Sequence, residues 1–240
     1  MLTAVIVAFV AVGCGGGGQS SAPSEANSSP TPGGEVDLTG GALPAGLFQG
    51  WDRVPTITVV AVAADPRMAL LEEATKFWNG QLQEIGSPFR LGEINKVERK
   101  PSGNALIKLS DAILNGRGDQ AAFTEATQGL TGSILVFLSD EDLISFTSIS
   151  APRRQVVIGI RTNRGPPLGL PNVARNVIAH EMGHAIGLQH NSDESKLMCG
   201  RPAACRPNAF LSSEPRFFPL TDEDKVRLLR LYPTTWAPRQ

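Results

Sequence analysis

The residues of this chain with the clearest chemical potential are its histidines, because all three lie in one short segment, residues 180–190. The segment reads HEMGHAIGLQH, so His180 and His184 are four residues apart. Residues four apart stack on one face of a helix, and neutral imidazole is a ligand that suits zinc. The spacing therefore predicts that both histidines point at one metal ion from a helix.

The rest of the segment offers a third ligand and a base. Gly187 can adopt a positive φ, so the helix can end there and the chain can turn back, which would bring His190 to the ion. Three protein ligands with an open fourth position are typical of catalytic zinc. Glu181 could accept a proton from the zinc-bound water, whose pKa falls to about 7. The alternative, a helix that only sequesters metal, would not need Glu181 or Gly187.

Composition excludes several other classes of function. The 240 residues are 41% hydrophobic, as in a globular protein, and include 22 basic and 23 acidic side chains. Because the net charge is only -1, no field would attract nucleic acid or an anionic membrane surface. No apolar run reaches the roughly 18 residues of a membrane-spanning helix. Residues 51–240 suffice for one core, and with no signal for oligomerisation a monomeric domain is expected.

The first fifty residues indicate an export signal and a tether. Residues 2–12 are almost entirely apolar and are followed by Cys14, which is typical of a signal peptide over residues 1–14. Residues 15–50 are rich in Gly, Ser and Pro and predict a flexible linker. The pattern resembles a bacterial lipoprotein signal, which implies a membrane link only through a lipid on Cys14. The alternative is an ordinary cleaved signal, so we expect an exported protein, either an envelope lipoprotein or a secreted one.

Two further cysteines follow the histidine segment. Cys199 and Cys205 are six residues apart, and Gly200 and Pro202 between them indicate a loop. In an oxidising compartment such a pair can form a disulfide. Two free thiols or metal-binding thiolates are the alternatives, but the spacing does not match the short knuckle of a zinc ribbon. A disulfide is therefore favoured.

The flanking sequence predicts one α+β domain that places the histidines on a helix. Apolar β-branched runs predict strands at 57–63, 89–91, 105–109, 133–138 and 155–160. Helical periodicity and capping residues predict helices that begin at Asp65-Pro66 and that cover 172–187 and 221–232. Residues 115–132 are polar and contain glycine, so they are expected to form a long surface loop.

These motifs together resemble the metzincin clan of zinc endopeptidases. The HExxHxxGxxH pattern is followed, eight residues after His190, by Met198, at the place of that clan's methionine turn. Residues 190–198 and 220–232 are similar to the matrixin family, peptidase family M10, which includes the matrix metalloproteinases. Astacin-like and serralysin-like members carry a tyrosine two residues after the methionine. Gly200 stands there instead, which argues against those branches.

The resemblance implies a twisted, mainly parallel five-stranded sheet with an antiparallel edge strand, a long first helix, an active-site helix and a C-terminal helix. It implies one zinc ion on His180, His184 and His190, with Met198 as a hydrophobic floor. Asp224 matches the family's buried acid that braces the methionine turn, and the alternative is a solvated acid at a helix start. Structural calcium would be compatible with such a domain, but no EF-hand-like spacing supports it.

The activity implied is that of a zinc metalloendopeptidase acting on internal bonds of protein or peptide substrates. Substrate would pair with an edge strand, for which residues 133–138 are the predicted candidate. Glu181 would deprotonate the attacking water and pass the proton to the leaving amine. The alternatives are a zinc hydrolase for a non-peptide bond and a non-proteolytic zinc-binding envelope protein with a blocked cleft. The intact Glu181 argues against the second, because a protein that only binds zinc needs no base.

Overall fold

The computed structural model describes residues 6–10 (backbone only), 50–150, 154–200, 210, 212 and 214–239. Their elements follow in the order β1 (Ile6–Val10), β2 (Ile57–Ala61), α1 (Arg67–Glu84), β3 (Ile94–Glu98), α2 (Gly103–Leu114), α3 (Gln120–Thr127), β4 (Ile134–Leu138), β5 (Phe146–Ser150), β6 (Gln155–Ile160), α4 (Pro171–Ala185) and α5 (Asp222–Leu231). None of the helices in these ranges has the length and apolarity needed to span a membrane. Cys14 and the predicted linker, apart from Gly50, lie outside the described residues.

The strands form one sheet in the order β1-β5-β6-β4-β2-β3. Strands β3, β2, β4 and β6 are parallel, and β5 runs antiparallel to β6. These five strands confirm the mainly parallel sheet with an antiparallel edge strand that the sequence predicted. A sixth strand, β1, comes from the predicted signal segment and pairs antiparallel with the outer side of β5, from Ile6 opposite Ser150 to Val10 opposite Phe146.

Helices cover both faces of the sheet, which explains why the central strands are almost uninterruptedly apolar. On one face, Val59, Val136 and Ile158 share an apolar cluster with residues of α1 and α4. On the other face, Leu135 and Phe137 share a second cluster with residues of α2 and α3. Neighbouring residues of one strand point to opposite faces, so the sheet separates the two clusters. Helix α4, which carries two of the histidines, therefore lies on a rigid support.

The elements that border the histidine segment follow the prediction closely, and the corrections concern the first two thirds of the chain. Residues 105–109 are not a strand but part of α2, because Ala105, Leu106, Leu109 and Ile113 are buried at helical spacing. The predicted strand at 89–91 is also wrong, since the strand of this region is Ile94–Glu98. The predicted loop at 115–132 contains α3, whose first turn is capped by the Asp119 side chain accepting from the Ala122 N–H at 2.8 Å.

The predicted edge strand is a further correction. Ile134–Leu138 lies between β2 and β6 at the centre of the sheet, where an unbroken apolar run can be buried on both faces. The strand that pairs antiparallel beside β6 is Phe146–Ser150, which the sequence analysis did not identify. Its sequence FTSIS carries three hydroxyl side chains and no clear apolar alternation, although all five residues are buried.

Candidate metal centre

Helix α4 presents His180 and His184 on one face, with their Nε2 atoms 3.1 Å apart. Their Nδ1 atoms lie 2.7 Å from the carbonyl oxygen of Leu197 and 2.9 Å from that of Leu188, respectively. Because a carbonyl only accepts, each Nδ1 carries the ring proton and each Nε2 keeps its lone pair. Two ligand nitrogens of a tetrahedral zinc site are about 3.3 Å apart. The two Nε2 atoms are therefore placed as a shared cation requires.

The third histidine, His190, completes the cluster. Ligand atoms of His180, His184 and His190 all lie within 4.8 Å of one another. The ring centroid of His190 is 5.2 Å from that of His180 and 4.7 Å from that of His184. A set of three imidazoles suits zinc, whereas calcium takes six or more oxygen ligands. The donor set thus fits one zinc ion, and no calcium is supported.

Burial keeps the two helical histidines neutral. It lowers the pKa of His180 to about 3, and it lowers that of His184 well below the ordinary value, with the neighbouring histidines adding to both shifts. Metal ions bind the unprotonated imidazole. At neutral pH these side chains are therefore ready to bind without losing a proton.

The chain reaches His190 through a turn at Gly187, whose φ is +101°. The Gly187 N–H donates to the His184 carbonyl at 3.0 Å, and the Leu188 N–H donates to the Gly183 carbonyl at 3.0 Å. This pair of bonds is the Schellman pattern that ends a helix with a left-handed residue. The turn places His190 beside the helix instead of on its continuation.

Replacing Gly187 by alanine is expected to destabilise the protein by about 1–3 kcal/mol, because a side chain at this φ is strained. Urea unfolding of the metal-free protein would measure the loss. Gly80→Ala is the matched control, since Gly80 lies in α1 without positive φ and a Cβ there would meet nothing within 4 Å. Equal stability of the Gly187→Ala variant and the wild type would contradict the prediction.

Three side chains from outside α4 bind the carbonyls at its end. The indole Nε1 of Trp51 donates to Ala185 at 2.9 Å, and the Tyr232 hydroxyl donates to Ile186 at 3.0 Å. The Arg227 Nε donates to Gly187 at 2.6 Å. These bonds satisfy carbonyls that a helix end otherwise leaves without partners. The sequence analysis missed all three contributions, which come from distant parts of the chain.

Met198 is fully buried and packs against α4 at Gly183, one residue before His184. A Cβ on Gly183 would lie 2.6 Å from the Met198 Sδ and 2.8 Å from Cζ2 of Trp78. The absence of a side chain at Gly183 therefore lets both large residues pack directly on the helix backbone. This arrangement makes Met198 a packing residue of the site.

The backbone beyond Met198 supports the third histidine. The Asn191 N–H donates to the Met198 carbonyl at 2.9 Å, and the Gly200 N–H donates to the Asn191 carbonyl at 3.1 Å. A Cβ on Gly200 would lie closer than 3.0 Å to three atoms of the His190 ring, a distance that real Cβ atoms essentially never show. The ring of His190 therefore lies directly on the Gly200 backbone, which leaves no room for a side chain.

Asp224 reaches the site through Asn191. Its Oδ2 accepts from the Asn191 Nδ2 at 3.1 Å and from the Thr221 N–H at 3.0 Å. The Thr221 hydroxyl accepts from the Asp224 N–H at 3.0 Å, which completes a capping box at the start of α5. Burial raises the pKa of Asp224, and these hydrogen bonds oppose the rise. Asp224 thus joins α5 to the residue that follows His190.

Glu181 is fully buried, directly after the first histidine. The Thr147 hydroxyl of β5 lies 2.7 Å from the Glu181 Oε2 and 2.9 Å from its carbonyl oxygen. Within the described residues, the other carboxyl oxygen, Oε1, has no hydrogen-bond partner. Burial raises the pKa of Glu181 to about 8, and the bond from Thr147 opposes the rise. In the metal-free protein this carboxyl is therefore mostly uncharged at neutral pH.

The pKa shifts predict how the stability of the metal-free protein depends on pH. Folding lowers the pKa of His180 from 6.5 to about 3, so stability falls as the pH drops below 6.5. Folding raises the pKa of Glu181 from 4.5 to about 8, so its contribution falls as the pH rises from 4.5 through 8. Of these two contributions to stability, the one from Glu181 is the one that still changes above pH 6.5.

We therefore expect the metal-free wild type to lose stability between pH 6.5 and 8, and Glu181→Gln to lose much less. Urea titrations across this range measure the difference. Glu98→Gln, at an exposed position in β3, is the matched control and should behave like the wild type. If stability changed with pH in the same way for Glu181→Gln and the wild type, the conclusion that folding keeps the Glu181 carboxyl uncharged would be wrong.

Cys199 is disulfide-bonded, which excludes it as a free thiol or as a thiolate ligand. Cys205, its predicted partner, lies outside the described residues. The bonded Cys199 lies directly before Gly200, so the covalent link is next to the backbone on which His190 packs.

A family model and a solved structure are similar to this chain over different lengths of it. The model of the Peptidase_M10 family, described as Matrixin, matches residues 168–232, a range that contains α4, the three histidines, Met198 and α5. Solved structures that match include archaemetzincin from Methanopyrus kandleri, with 18% identity, a TM-score of 0.49, and coverage of 79% of this chain and 98% of that chain. A search of curated proteins found no match. The matrixin match, together with the three-histidine cluster, supports a zinc metallopeptidase.

Proposed function

We propose that this chain is a zinc-dependent metalloendopeptidase of the matrixin type, which hydrolyses internal peptide bonds of protein substrates. The observation that carries the proposal is the cluster of three histidine ligands, with Glu181 next to His180 in the chain and one of its carboxyl oxygens without a hydrogen bond among the described residues. A protein that only stored zinc would gain nothing from a buried carboxyl there, because burying it costs free energy.

Each residue of the site has a separate role in the proposed peptide hydrolysis. His180, His184 and His190 would hold zinc, which when bound polarises a carbonyl and activates water. Glu181 takes the proton of the attacking water at Oε1 and delivers it to the amine nitrogen as the carbon–nitrogen bond breaks. The carbonyls of Leu197 and Leu188 keep His180 and His184 in the tautomer that leaves Nε2 available.

The outer side of β5 is the proposed binding edge for an extended substrate. Its backbone can pair with an antiparallel strand there, as the pairing with β1 demonstrates. Thr147 connects this edge to Glu181 through its hydroxyl. A peptide paired along β5 would therefore pass close to the base.

The same pairing favours a second candidate, a zinc-binding protein whose cleft is blocked. In the full chain, β1 occupies the outer side of β5 from Phe146 to Ser150. Removal of the export signal, before Cys14 if that residue carries a lipid or after it if it does not, would free that side. We propose export and processing on the sequence pattern alone, and mass spectrometry of the mature N-terminus would test it.

The experiment that tests the function compares two zinc-loaded forms, the full chain and a chain without residues 1–14, on unfolded casein. Cleavage that stops with a chelator and returns with added zinc would support the endopeptidase. Cleavage by the shorter form alone would mean that the amino-terminal segment blocks the cleft. No cleavage by either form, with one zinc ion bound per chain, would favour the non-proteolytic zinc protein.

A further inference from the structure

We infer that Thr147 is a positioning residue for the base: its hydroxyl holds one carboxylate oxygen of Glu181 so that Oε1 is left to take up the proton. The inference rests on the proposed function, because it assigns a role within that reaction. It does not follow from the histidine motif, since Thr147 lies in β5, a different element, 34 residues before Glu181 in the chain.

The geometry allows the Thr147 proton one preferred acceptor. A hydroxyl donates a single hydrogen bond, and two Glu181 oxygens lie within reach, the carboxylate Oε2 at 2.7 Å and the backbone carbonyl at 2.9 Å. The ionised carboxylate is the stronger acceptor, and the distance to it is the shorter one. Thr147 therefore donates to Oε2 when Glu181 is ready to act as a base.

The same bond can persist through the proton transfer. After Oε1 has been protonated, Oε2 is a carbonyl-type oxygen and still accepts from the hydroxyl. Both side chains are completely buried, so no solvent competes for the contact. Thr147 can thus keep the carboxyl plane fixed while the proton arrives and while it leaves, which lowers the reorganisation that the reaction requires.

The position of Thr147 in the sheet makes this support rigid. Its backbone pairs with Ile158 of β6 on one side and with Phe9 of β1 on the other. The alternation of β5 points Thr147 toward α4, the same face as Ile149, which belongs to the α4 cluster. The hydroxyls of Ser148 and Ser150 in the same strand are buried without a partner among the described residues. The bond to Glu181 is therefore specific to position 147.

The test compares Thr147→Val, which removes the hydroxyl at similar volume, with Thr147→Ser, which keeps it. In the zinc-loaded form that cleaves, either the full chain or the chain without residues 1–14, kcat for a peptide substrate should fall about 10- to 100-fold in the valine variant, because a misplacement of about 1 Å can cost that much. KM and zinc stoichiometry should stay unchanged, and the serine variant should restore kcat. Thr127→Val is the matched control, since Thr127 is a buried hydroxyl in α3 that donates to the Phe123 carbonyl at 2.9 Å.

A second readout needs no activity. Thermal unfolding of the metal-free protein should show non-additive losses for Thr147→Val and Glu181→Ala, because each substitution removes the same hydrogen bond. Additive losses, or a valine variant with wild-type kcat, would overturn the inference while the peptidase stands. A wild type that cleaves nothing would instead reject the proposed function, and the unfolding cycle would still report whether the contact exists.

Discussion

Replacing Glu181 by alanine is expected to lower kcat for peptide hydrolysis by about 10²–10⁴-fold, the usual contribution of a positioned general base. Glu181 directly follows the first histidine of the cluster, and its Oε1 has no hydrogen-bond partner among the described residues, so in the proposed reaction this oxygen is left to accept a proton. Zinc binding should survive, because the three imidazoles are unchanged. The measurement is a steady-state assay with a fluorogenic peptide, combined with metal analysis of the same sample.

Two comparisons make this result specific to Glu181. Glu98→Ala, an exposed glutamate of β3, should retain wild-type kcat. The Glu181→Ala variant should still unfold cooperatively and bind one zinc ion per chain, with a melting temperature lowered by the loss of the Thr147 hydrogen bond. Equal cleavage by Glu181→Ala and wild type would mean that a different group acts as the base or that a contaminant cleaves the substrate.

Replacing Gly200 by alanine is expected to weaken zinc binding about 10–100-fold, the range found when groups that orient metal ligands are altered. A Cβ at this position would overlap the His190 ring, so the ring must move away from the other two histidines. Competition with a chromophoric zinc chelator measures the affinity. At limiting zinc, the activity of Gly200→Ala should fall in proportion to the fraction of protein without zinc. Excess zinc should recover much of that activity.

Recovery by zinc distinguishes a displaced ligand from a misfolded domain. Gly165→Ala is the control, because a Cβ on Gly165, in the loop before α4, would meet nothing within 4 Å. Gly200→Ala with unaltered zinc affinity would show that His190 tolerates the extra carbon, and that the contact between the ring and the Gly200 backbone is not required for binding.

Several elements of the fold could be predicted because their signals are local. Apolar β-branched runs identify β2, β4 and β6, and the proline and the glycine that border α4 set its limits within two residues. The regions that were misassigned have weak or ambiguous local patterns. Residues 105–109 form a short apolar run whose period does not distinguish a strand from a helix. The FTSIS sequence of β5 becomes a strand through pairing with β6, which no local pattern reports.

The amino-acid sequence alone predicted the three histidines that the structure brings together and the residue that we propose as the base. His180, Glu181 and His184 are related by the helical repeat, and Gly187 permits the turn to His190, so short-range geometry is sufficient. Tertiary structure decided what surrounds them. The contact of Thr147 with Glu181 spans 34 residues, and that of Trp51 with the end of α4 spans 134 residues. Contacts of this range depend on how the sheet and helices pack, because packing, unlike helical spacing, is set by the whole core at once.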